Sequence, residues 1–203
     1  MPQERAVATR SAIVSATSEL IRRNGYTATT VDGICEKAQV TKGAFFHHFK
    51  TKDDAVEAAL EQWDAGAAAM EAGAPFHAAK SPRARVLGYM DLYMSVLANP
   101  AQLKSCLAGT TVQEVADTNA PLRHAAAMCF TGAHDRFKAL LDEACRGSHK
   151  RVDTASLASL WMAAIQGSLI LFKASQDASL LRRNLEHVKT YIASQLPKGV
   201  KRA

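Results

Sequence analysis

The sequence has few cysteines, and none of them form a CxxC pair. Cys35, Cys106, Cys129 and Cys145 are scattered over 203 residues, so neither a zinc site nor a disulfide framework is indicated. The motifs of common enzyme classes are also missing, because no HExxH, GxSxG, phosphate-binding loop or Cys-His motif occurs. The sequence therefore predicts no bound metal, no cofactor and no enzymatic activity.

The sequence also lacks a recognisable export signal or membrane segment. Residues 1–10 are polar, and residues 13–21 are interrupted by Ser, Thr and Glu, which is unlike a signal peptide. No apolar run approaches the ~20 residues that span a bilayer. We therefore expect a cytoplasmic protein with no membrane partner.

Positive charge is unevenly distributed along the chain. Residues 1–52 carry eight Lys or Arg side chains and four acidic ones, whereas the other 151 residues carry 17 basic and 15 acidic side chains. A basic N-terminal quarter on a nearly neutral body indicates either a polyanionic partner or a solvated basic face. Charge alone does not choose between these two interpretations.

The hydrophobic pattern has helical period almost throughout, with breaks at Gly, Pro and Asn. It predicts an all-α protein. A capping-box-like start is expected for the fourth helix at Thr51–Asp54. The predicted helices cover about 7–23, a short helix capped by Thr29 or Thr30, a second short helix capped by Thr41, then 51–73, 82–98, 102–107, 112–117, 121–145, 154–173 and 177–196.

The two short helices form the most informative segment, residues 29–52. They are joined by a tight turn, and their apolar side chains allow them to cross over the first helix as in a helix-turn-helix motif. The second helix of such a motif enters the major groove of DNA. The apolar set is Val31, Ile34, Ala38, Val40, Phe45 and Phe49.

The exposed side chains of the second short helix suit DNA contact. Thr41 can donate its hydroxyl to a phosphate, Lys42 can reach guanine acceptors, and Gly43 allows close approach. His47 can contact a base or a phosphate, and Lys52 a further phosphate. The predicted DNA-binding residues are Thr29, Thr30, Thr41, Lys42, Gly43, Phe46, His47 and Lys52.

The segments Thr30–Ala38 and Val40–Lys52 resemble the N-terminal signature of the tetracycline-repressor-like transcriptional regulators, and the match extends over about residues 8–62. A weaker resemblance to one subgroup involves Cys106–Gly109, Glu114–Thr118 and Pro121–Arg123. The family resemblance implies an N-terminal DNA-binding domain over residues 1–52, with its motif at about 29–49. It also implies a helical ligand-binding and dimerisation domain over residues 53–203. The implied partners are double-stranded operator DNA, a small-molecule effector and a second copy of the chain, and repression is the prevailing mode.

Three residues depart from the usual signature of that family. Gln39 stands where the turn usually has Gly, which costs ~1 kcal/mol or more if the residue is left-handed. Gly33 lies inside a helix, at a cost of about 1 kcal/mol relative to Ala. Phe46 replaces a Tyr, which removes one hydroxyl that would contact phosphate.

The second predicted domain is rich in Met and aromatic residues, which suits either a plain core or a pocket for a small apolar ligand. Tyr93, Gln113, Gln166 and His134 are the polar groups that we expect to orient such a ligand. The predicted ligand-binding residues are Trp63, Met90, Tyr93, Met94, Cys106, Gln113, Met128, Trp161 and Gln166.

Cys106 supports an alternative interpretation, a thiol or electrophile sensor on the same fold. Reactivity requires a thiolate, which a nearby cation such as Lys104 or a helix N-terminus would favour. The alternative is that Cys106 is a buried and unreactive cysteine.

The helix at 154–173 is apolar on more than one face, and the last helix carries a second apolar stripe. Together they predict a dimer interface of two helices per subunit. The predicted interface residues are Leu157, Trp161, Ile165, Leu169, Leu185 and Val188.

Two further function classes, a helical enzyme and a helical protein-interaction module, are distant alternatives. The missing catalytic motifs argue against the first, and the basic recognition helix argues against the second. DNA binding that weakens steeply with salt would separate the regulator from both.

Overall fold

A computed structural model describes residues 2–99 and 105–197. Within these ranges the chain forms nine α-helices, one 3₁₀ turn and no strand, which confirms the all-α prediction. The helices are α1 (Pro2–Asn24), α2 (Val31–Ala38), α3 (Lys42–His48), α4 (Lys52–Ala72), α5 (Pro82–Ala98), α6 (Leu107–Val115), α7 (Ala120–Cys145), α8 (Thr154–Ser175) and α9 (Ala178–Gln195), with the 3₁₀ turn at Pro75–Ala78.

The described residues group into two compact units. The first comprises Met1–Gly66 with Ser105–Phe130, and the second comprises Ala67–Lys104 with Thr131–Ala203. This grouping does not follow the predicted boundary between residues 52 and 53, because α6 packs against α1 and shares its core. The division into DNA-binding and ligand-binding domains stays a prediction about function.

The first unit is built on α1. Helices α2, α3 and α6 all pack against it, and the apolar faces expected from the sequence point inward. Ile13, Ile34 and Phe45 are fully buried at the centre of this core, and Phe49 is nearly so. Burial of each such side chain contributes about 1.5–3 kcal/mol, which explains why two short helices with little stability of their own are held in place.

The second unit packs α5 against the 3₁₀ turn and α9, and α8 against α9. Its core stacks Tyr89 on Phe137, with ring centroids 4.6 Å apart and planes 10° from parallel. Trp161 lies beside Phe137 at 6.2 Å. Arg83 Nη1 donates to the carbonyl oxygen of Ala193 at 2.7 Å, which satisfies an acceptor that the end of α9 leaves unpaired.

Several predicted helix ends need correction. Helix α1 begins at Pro2 rather than near Val7, and the two short helices predicted at 102–107 and 112–117 are replaced by α6 with Cys106 as its N-cap. Residues 102–104 of the first of these, Leu103 and Lys104 included, lie outside the described residues. The capping box at α4 is confirmed, since Asp54 N donates to Thr51 Oγ1 at 3.1 Å and Thr51 N donates to Asp54 Oδ2 at 2.9 Å.

Helix α8 corrects the expectation that no apolar segment approaches the length of a membrane span. Its 22 residues, Thr154–Ser175, are long and apolar enough to cross a bilayer by length and composition alone. A core helix of a soluble protein passes the same test, and Leu157, Ala158 and Trp161 of α8 are buried within the chain. The helix is therefore weak evidence for a membrane span.

The turn between α2 and α3 is closed by a residue in left-handed conformation. Gln39 has φ 55° and ψ 44°, and its N–H donates to the carbonyl oxygen of Glu36 at 3.2 Å. The sequence identified this position as strained if left-handed, and the structure shows that it is. A side chain with a Cβ is disfavoured here, whereas glycine is not.

We therefore expect Gln39→Gly to raise the free energy of unfolding by about 1 kcal/mol or less, because relief of the strain is partly offset by the greater freedom of the unfolded chain. Denaturant unfolding monitored by circular dichroism measures the change. The matched control is Gln62→Gly in the right-handed interior of α4, which should lower the free energy of unfolding by about 1 kcal/mol. Loss of stability in both variants would contradict the strain at Gln39.

Candidate nucleic-acid interface

The connector between α1 and α2 fixes where the two short helices begin, and Glu114 of α6 binds its backbone. Glu114 Oε1 accepts the N–H of Tyr26 at 3.0 Å, and Oε2 accepts the N–H of Thr27 at 2.8 Å. Gly25, at φ +92°, leaves the space that this contact needs, since a Cβ there would lie 2.3 Å from Glu114 Oε1. Both the backbone conformation and the close approach therefore require glycine.

The carboxylate of Glu114 is held in its charged form. Burial alone would raise its pKa, but the hydrogen bonds from Thr27 and Tyr26 and the positive charge of Lys52 outweigh burial and lower the pKa below its ordinary value. The contact between α6 and the connector is thus a charge-assisted one at neutral pH.

The side chain of Tyr26 is anchored by the start of α4 and by the residues before α7. Its hydroxyl donates to Asp53 Oδ1 at 2.6 Å, and Asn119 Nδ2 donates to Asp53 Oδ2 at 2.7 Å. Burial and the neighbouring Asp53 raise the pKa of Tyr26 to about 12. The phenol therefore stays protonated and continues to donate.

Two residues predicted to contact DNA have other roles here. Thr29 is only 1% exposed and donates its hydroxyl to the carbonyl oxygen of Gly25 at 2.7 Å, so it has no surface for DNA. Lys52 Nζ donates to the carbonyl oxygen of Tyr26 at 3.1 Å and lies 3.8 Å from the centre of the Tyr26 ring. The expectation for Thr29 is corrected, because it is buried and stabilises the connector, whereas the phosphate contact of Lys52 stays a prediction beside its role at the connector.

The other predicted DNA-binding residues share an exposed surface. Thr30 and Thr41 are the N-caps of α2 and α3, and each accepts a backbone N–H at 3.1 Å, from Gly33 and Ala44 respectively. Their hydroxyl protons remain available to donate to another acceptor. On α3 itself, Lys42, Gly43, Phe46 and His47 are all exposed.

Gly43 is not explained by packing within the chain. Among the described residues the atom nearest to a Cβ built on Gly43 is Thr41 Oγ1, at 3.8 Å, so a larger residue would fit. The lack of a side chain at this position instead lets another molecule approach the backbone of α3 closely.

A contact that sequence reasoning missed connects the two short helices. Lys42 Nζ, at the start of α3, lies 2.6 Å from Asp32 Oδ1 in the first turn of α2, and both side chains are more than half exposed. Ten positions separate them, and no spacing rule within a single helix relates the two, so only the packing of α2 against α3 reveals the pair.

The predicted ligand-binding residues are divided between the two compact units. In the first unit, Trp63 is half-buried beneath the Arg22 guanidinium, whereas Met128 is 54% exposed and lies outside the core that we predicted for it. Gln113 is exposed and donates to the carbonyl oxygen of Gly109. Cys106 is half-buried, and its Sγ accepts the N–H of Gly109 at 3.5 Å.

In the second unit, Met90 and Trp161 are buried, and Tyr93, Met94 and Gln166 are half-buried. His134 has both ring nitrogens occupied, one by Asp135 and the other by the carbonyl oxygen of Ala155.

A buried polar cluster around Glu71 was not predicted. Its carboxylate accepts from Arg136 Nε at 2.7 Å and from the hydroxyls of Tyr93 and, more weakly, Tyr89 at 3.4 Å. Burial and Glu71 raise the pKa of Tyr93 well above its usual range, so the phenol remains a donor. The members come from α4, α5 and α7, which are distant in sequence and gave no local signal.

Most of the predicted dimer-interface residues are already buried within one chain. Leu157, Trp161, Leu169 and Leu185 are 6% exposed or less, so a partner would find little of their surface. Ile165 and Val188 are half-buried. The exposed apolar side chains of the last two helices lie elsewhere, at Leu160, Ile170, Leu171 and Tyr191.

Comparison with known proteins places this architecture in a family. The chain is 26% identical over 182 residues, 90% of its length and 92% of the relative's, to the HTH-type transcriptional regulator in the lacX 3′ region of Lactococcus lactis subsp. lactis. The fold matches TetR regulators from Chloroflexus aurantiacus J-10-FL (TM-score 0.83, 24% identity, 95% of this chain and 98% of that one) and Cytophaga hutchinsonii (TM-score 0.79, 19% identity, 96% and 98%).

Two family models match as well. The model of the bacterial regulatory proteins of the tetR family covers residues 13–59, which contain α2 and α3, and the tetracyclin repressor-like C-terminal domain covers residues 82–188. The chain therefore belongs to the TetR family of DNA-binding transcriptional regulators.

Proposed function

We propose that the chain is a cytoplasmic, homodimeric repressor that reads a two-fold symmetric operator with α3 and is released by a small apolar ligand. The observation that carries the operator assignment is the exposed surface of α3. It presents Lys42 and His47 beside Gly43, whose missing side chain serves no packing within the described residues. A low, basic helix surface is what close approach to base edges in the major groove requires.

An apolar stripe along α8 supports the homodimer. Its residues follow the alternating three- and four-residue spacing of a helix-helix seam. Gly167 at the centre leaves open space among the described residues, where a Cβ would meet nothing within 4 Å, so a second helix can approach closely. The stripe comprises Leu160, Ala163, Gly167, Ile170 and Ala174, and Leu171 of α8 and Tyr191 of α9 are further exposed apolar side chains.

A second copy is the partner that fits this stripe. A symmetric dimer presents the same surface twice, and an apolar seam with few charges complements itself. The proposed interface therefore keeps the two predicted helices but replaces Leu157, Trp161, Leu169 and Leu185 by exposed neighbours.

The second unit supports the ligand proposal. Met90, Phe137 and Trp161 supply apolar surface, and the Trp161 indole Nε1 is buried with no hydrogen-bond partner among the described residues. An unpaired buried donor costs about 1–3 kcal/mol. We propose that the ligand is apolar with one hydrogen-bond acceptor, which would remove this cost.

The surroundings of Cys106 favour a second candidate function, thiol sensing. Its sulfur lies at the N-terminus of α6 and already accepts a backbone N–H, and the neighbouring Arg22 guanidinium interacts with it electrostatically. A helix N-terminus and a neighbouring cation are the surroundings in which reactive cysteines of other proteins are found. Lys104, the cation that the sequence suggested, lies outside the described residues.

The operator assignment is tested with a duplex selected by the wild-type protein from a random-sequence library, which should be two-fold symmetric. Lys42→Ala and His47→Ala should each weaken its binding by about 1–3 kcal/mol, the size of one lost base contact. Fluorescence anisotropy measures the affinity, and Lys138→Ala, which removes a lysine paired with Asp142 in the second unit, is the matched control. Unchanged affinity in both α3 variants, with normal circular dichroism, would refute α3 as the reading helix.

For the dimer, we expect Ile170→Glu to weaken association at least about hundredfold, because a charge without a partner would be buried at the seam. Sedimentation velocity over a concentration series measures the dissociation. Val7→Glu places the same charge at an exposed apolar residue of α1 and should leave the dimer intact. An Ile170→Glu protein that remains dimeric at wild-type concentrations would place the interface elsewhere.

The ligand and thiol candidates differ in their response to reagents. If a small apolar ligand is the signal, hydrogen peroxide and N-ethylmaleimide should not release wild-type protein from the selected operator, and Cys106→Ser should behave as wild type in a screen of apolar compounds. Release of the wild type by either reagent, lost in Cys106→Ser but kept in the control Cys145→Ser, would instead establish the thiol sensor. Anisotropy of the labelled operator is the readout for both.

A further inference from the structure

We propose that Asp32 is a specificity-determining positioning residue, which holds the Lys42 ammonium toward the base edges and away from the phosphates. The inference rests on the proposed role of α3 as the reading helix. The two side chains meet at 2.6 Å, Asp32 from the first turn of α2 and Lys42 from the start of α3.

Asp32 pairs with Lys42 of α3 rather than with the lysine of its own helix. The basic residue of α2 itself, Lys37, is paired with a different carboxylate, that of Glu19 of α1, at 3.0 Å. The hydrogen bond with Asp32 and the charge of Asp32 raise the pKa of Lys42, and the ammonium remains charged under any condition in which DNA binds.

An ammonium has three donors, and Asp32 Oδ1 uses one of them. Two remain for the N7 and O6 acceptors of a guanine, so the ion pair need not break when Lys42 reaches a base. A free lysine would first have to be ordered, and ordering a flexible side chain has an entropic cost. Asp32 orders the Lys42 side chain before DNA binds.

The same pair acts differently on DNA of arbitrary sequence. There Lys42 has no guanine in register, and a phosphate must compete with a carboxylate that already holds the ammonium. A single exposed ion pair contributes little, but nonspecific affinity is a sum of many weak phosphate contacts. Asp32 therefore lowers the nonspecific background while it supports the specific contact.

The experiment compares the selected operator with a scrambled duplex of the same base composition, over a series of salt concentrations. Asp32→Asn keeps the shape and removes the charge, and we expect the ratio of specific to nonspecific affinity to fall roughly two- to tenfold. The slope of log K against log salt on the scrambled duplex should steepen by up to about 0.9, since Lys42 becomes free to bind a phosphate.

Two further variants separate positioning from simple charge repulsion. Glu36→Gln removes an exposed acid from the same helix, one turn after Asp32, and should change both affinities equally. Asp32→Asn added to Lys42→Gln should leave the affinity ratio of Lys42→Gln unchanged. If Asp32→Asn behaves like Glu36→Gln, or lowers the ratio equally in the Lys42→Gln background, the inference is wrong.

Operator affinity distinguishes failure of the α3 assignment from failure of the role of Asp32. Operator affinity that stays at the wild-type value in both Lys42→Gln and His47→Ala would reject α3 as the reading helix and the role of Asp32 with it. A Lys42→Gln protein that binds weakly, together with an unaltered ratio in Asp32→Asn, would reject the role of Asp32 alone. The substituted positions, Asp32, Glu36, Lys42 and His47, are on the surface, and thermal unfolding verifies that the variants are folded.

Discussion

The carboxylate of Glu114, bound to the backbone of residues 26 and 27, is the contact on which the geometry of the reading helices depends. The connector is too short to have a fold of its own, so its path is set by hydrogen bonds to residues of the neighbouring helices. Glu114 supplies two acceptors, Thr29 donates to the carbonyl oxygen of Gly25, and Asp53 holds the ring of Tyr26. The direction in which the chain enters α2 is therefore set by α4 and α6 as much as by the motif itself.

This dependence changes what counts as the DNA-binding part of the chain. A three-helix motif ending at residue 52 contains the side chains that we propose read DNA, but it lacks Glu114 and Asn119, which fix the connector. Without Glu114, the two backbone donors at Tyr26 and Thr27 would exchange a charged acceptor for water, and the connector would lose its attachment to α6. The compact unit accordingly takes in Ser105–Phe130.

Local patterns predicted the fold where local energies decide it. The caps at Thr30, Thr41 and Thr51 were readable because each capping hydrogen bond spans three residues, and the left-handed Gln39 was readable because the turn is only a few residues long. Thr29 was misassigned, and the connector contacts of Lys52 were missed, for the opposite reason. Both have the chemistry of a phosphate ligand, but their partners became visible only once the connector had a path through space.

The same limit applies to the second unit. A Met-rich and aromatic composition predicted an apolar interior, whereas the fold brings Glu71, Tyr93 and Arg136 from three helices into one hydrogen-bonded cluster. Buried ion pairs of this kind add little net stability but specify one arrangement strongly, because breaking a single partner leaves an uncompensated charge. Hydrophobic period carries no information about such a cluster, and neither does it tell whether Leu169 or Ile170 of an all-apolar helix faces the solvent.

The two tryptophans make the compact units separately observable. The chain contains only two, with Trp63 in the first unit, half-buried beneath a guanidinium, and Trp161 in the second, 1% exposed among aromatic rings. Indole emission shifts to longer wavelength as the surroundings become more polar, so the two residues emit in different parts of the band. A ligand that supplies an acceptor to the Trp161 indole would directly alter the short-wavelength part of the band, so intrinsic fluorescence can report binding in the second unit without a label.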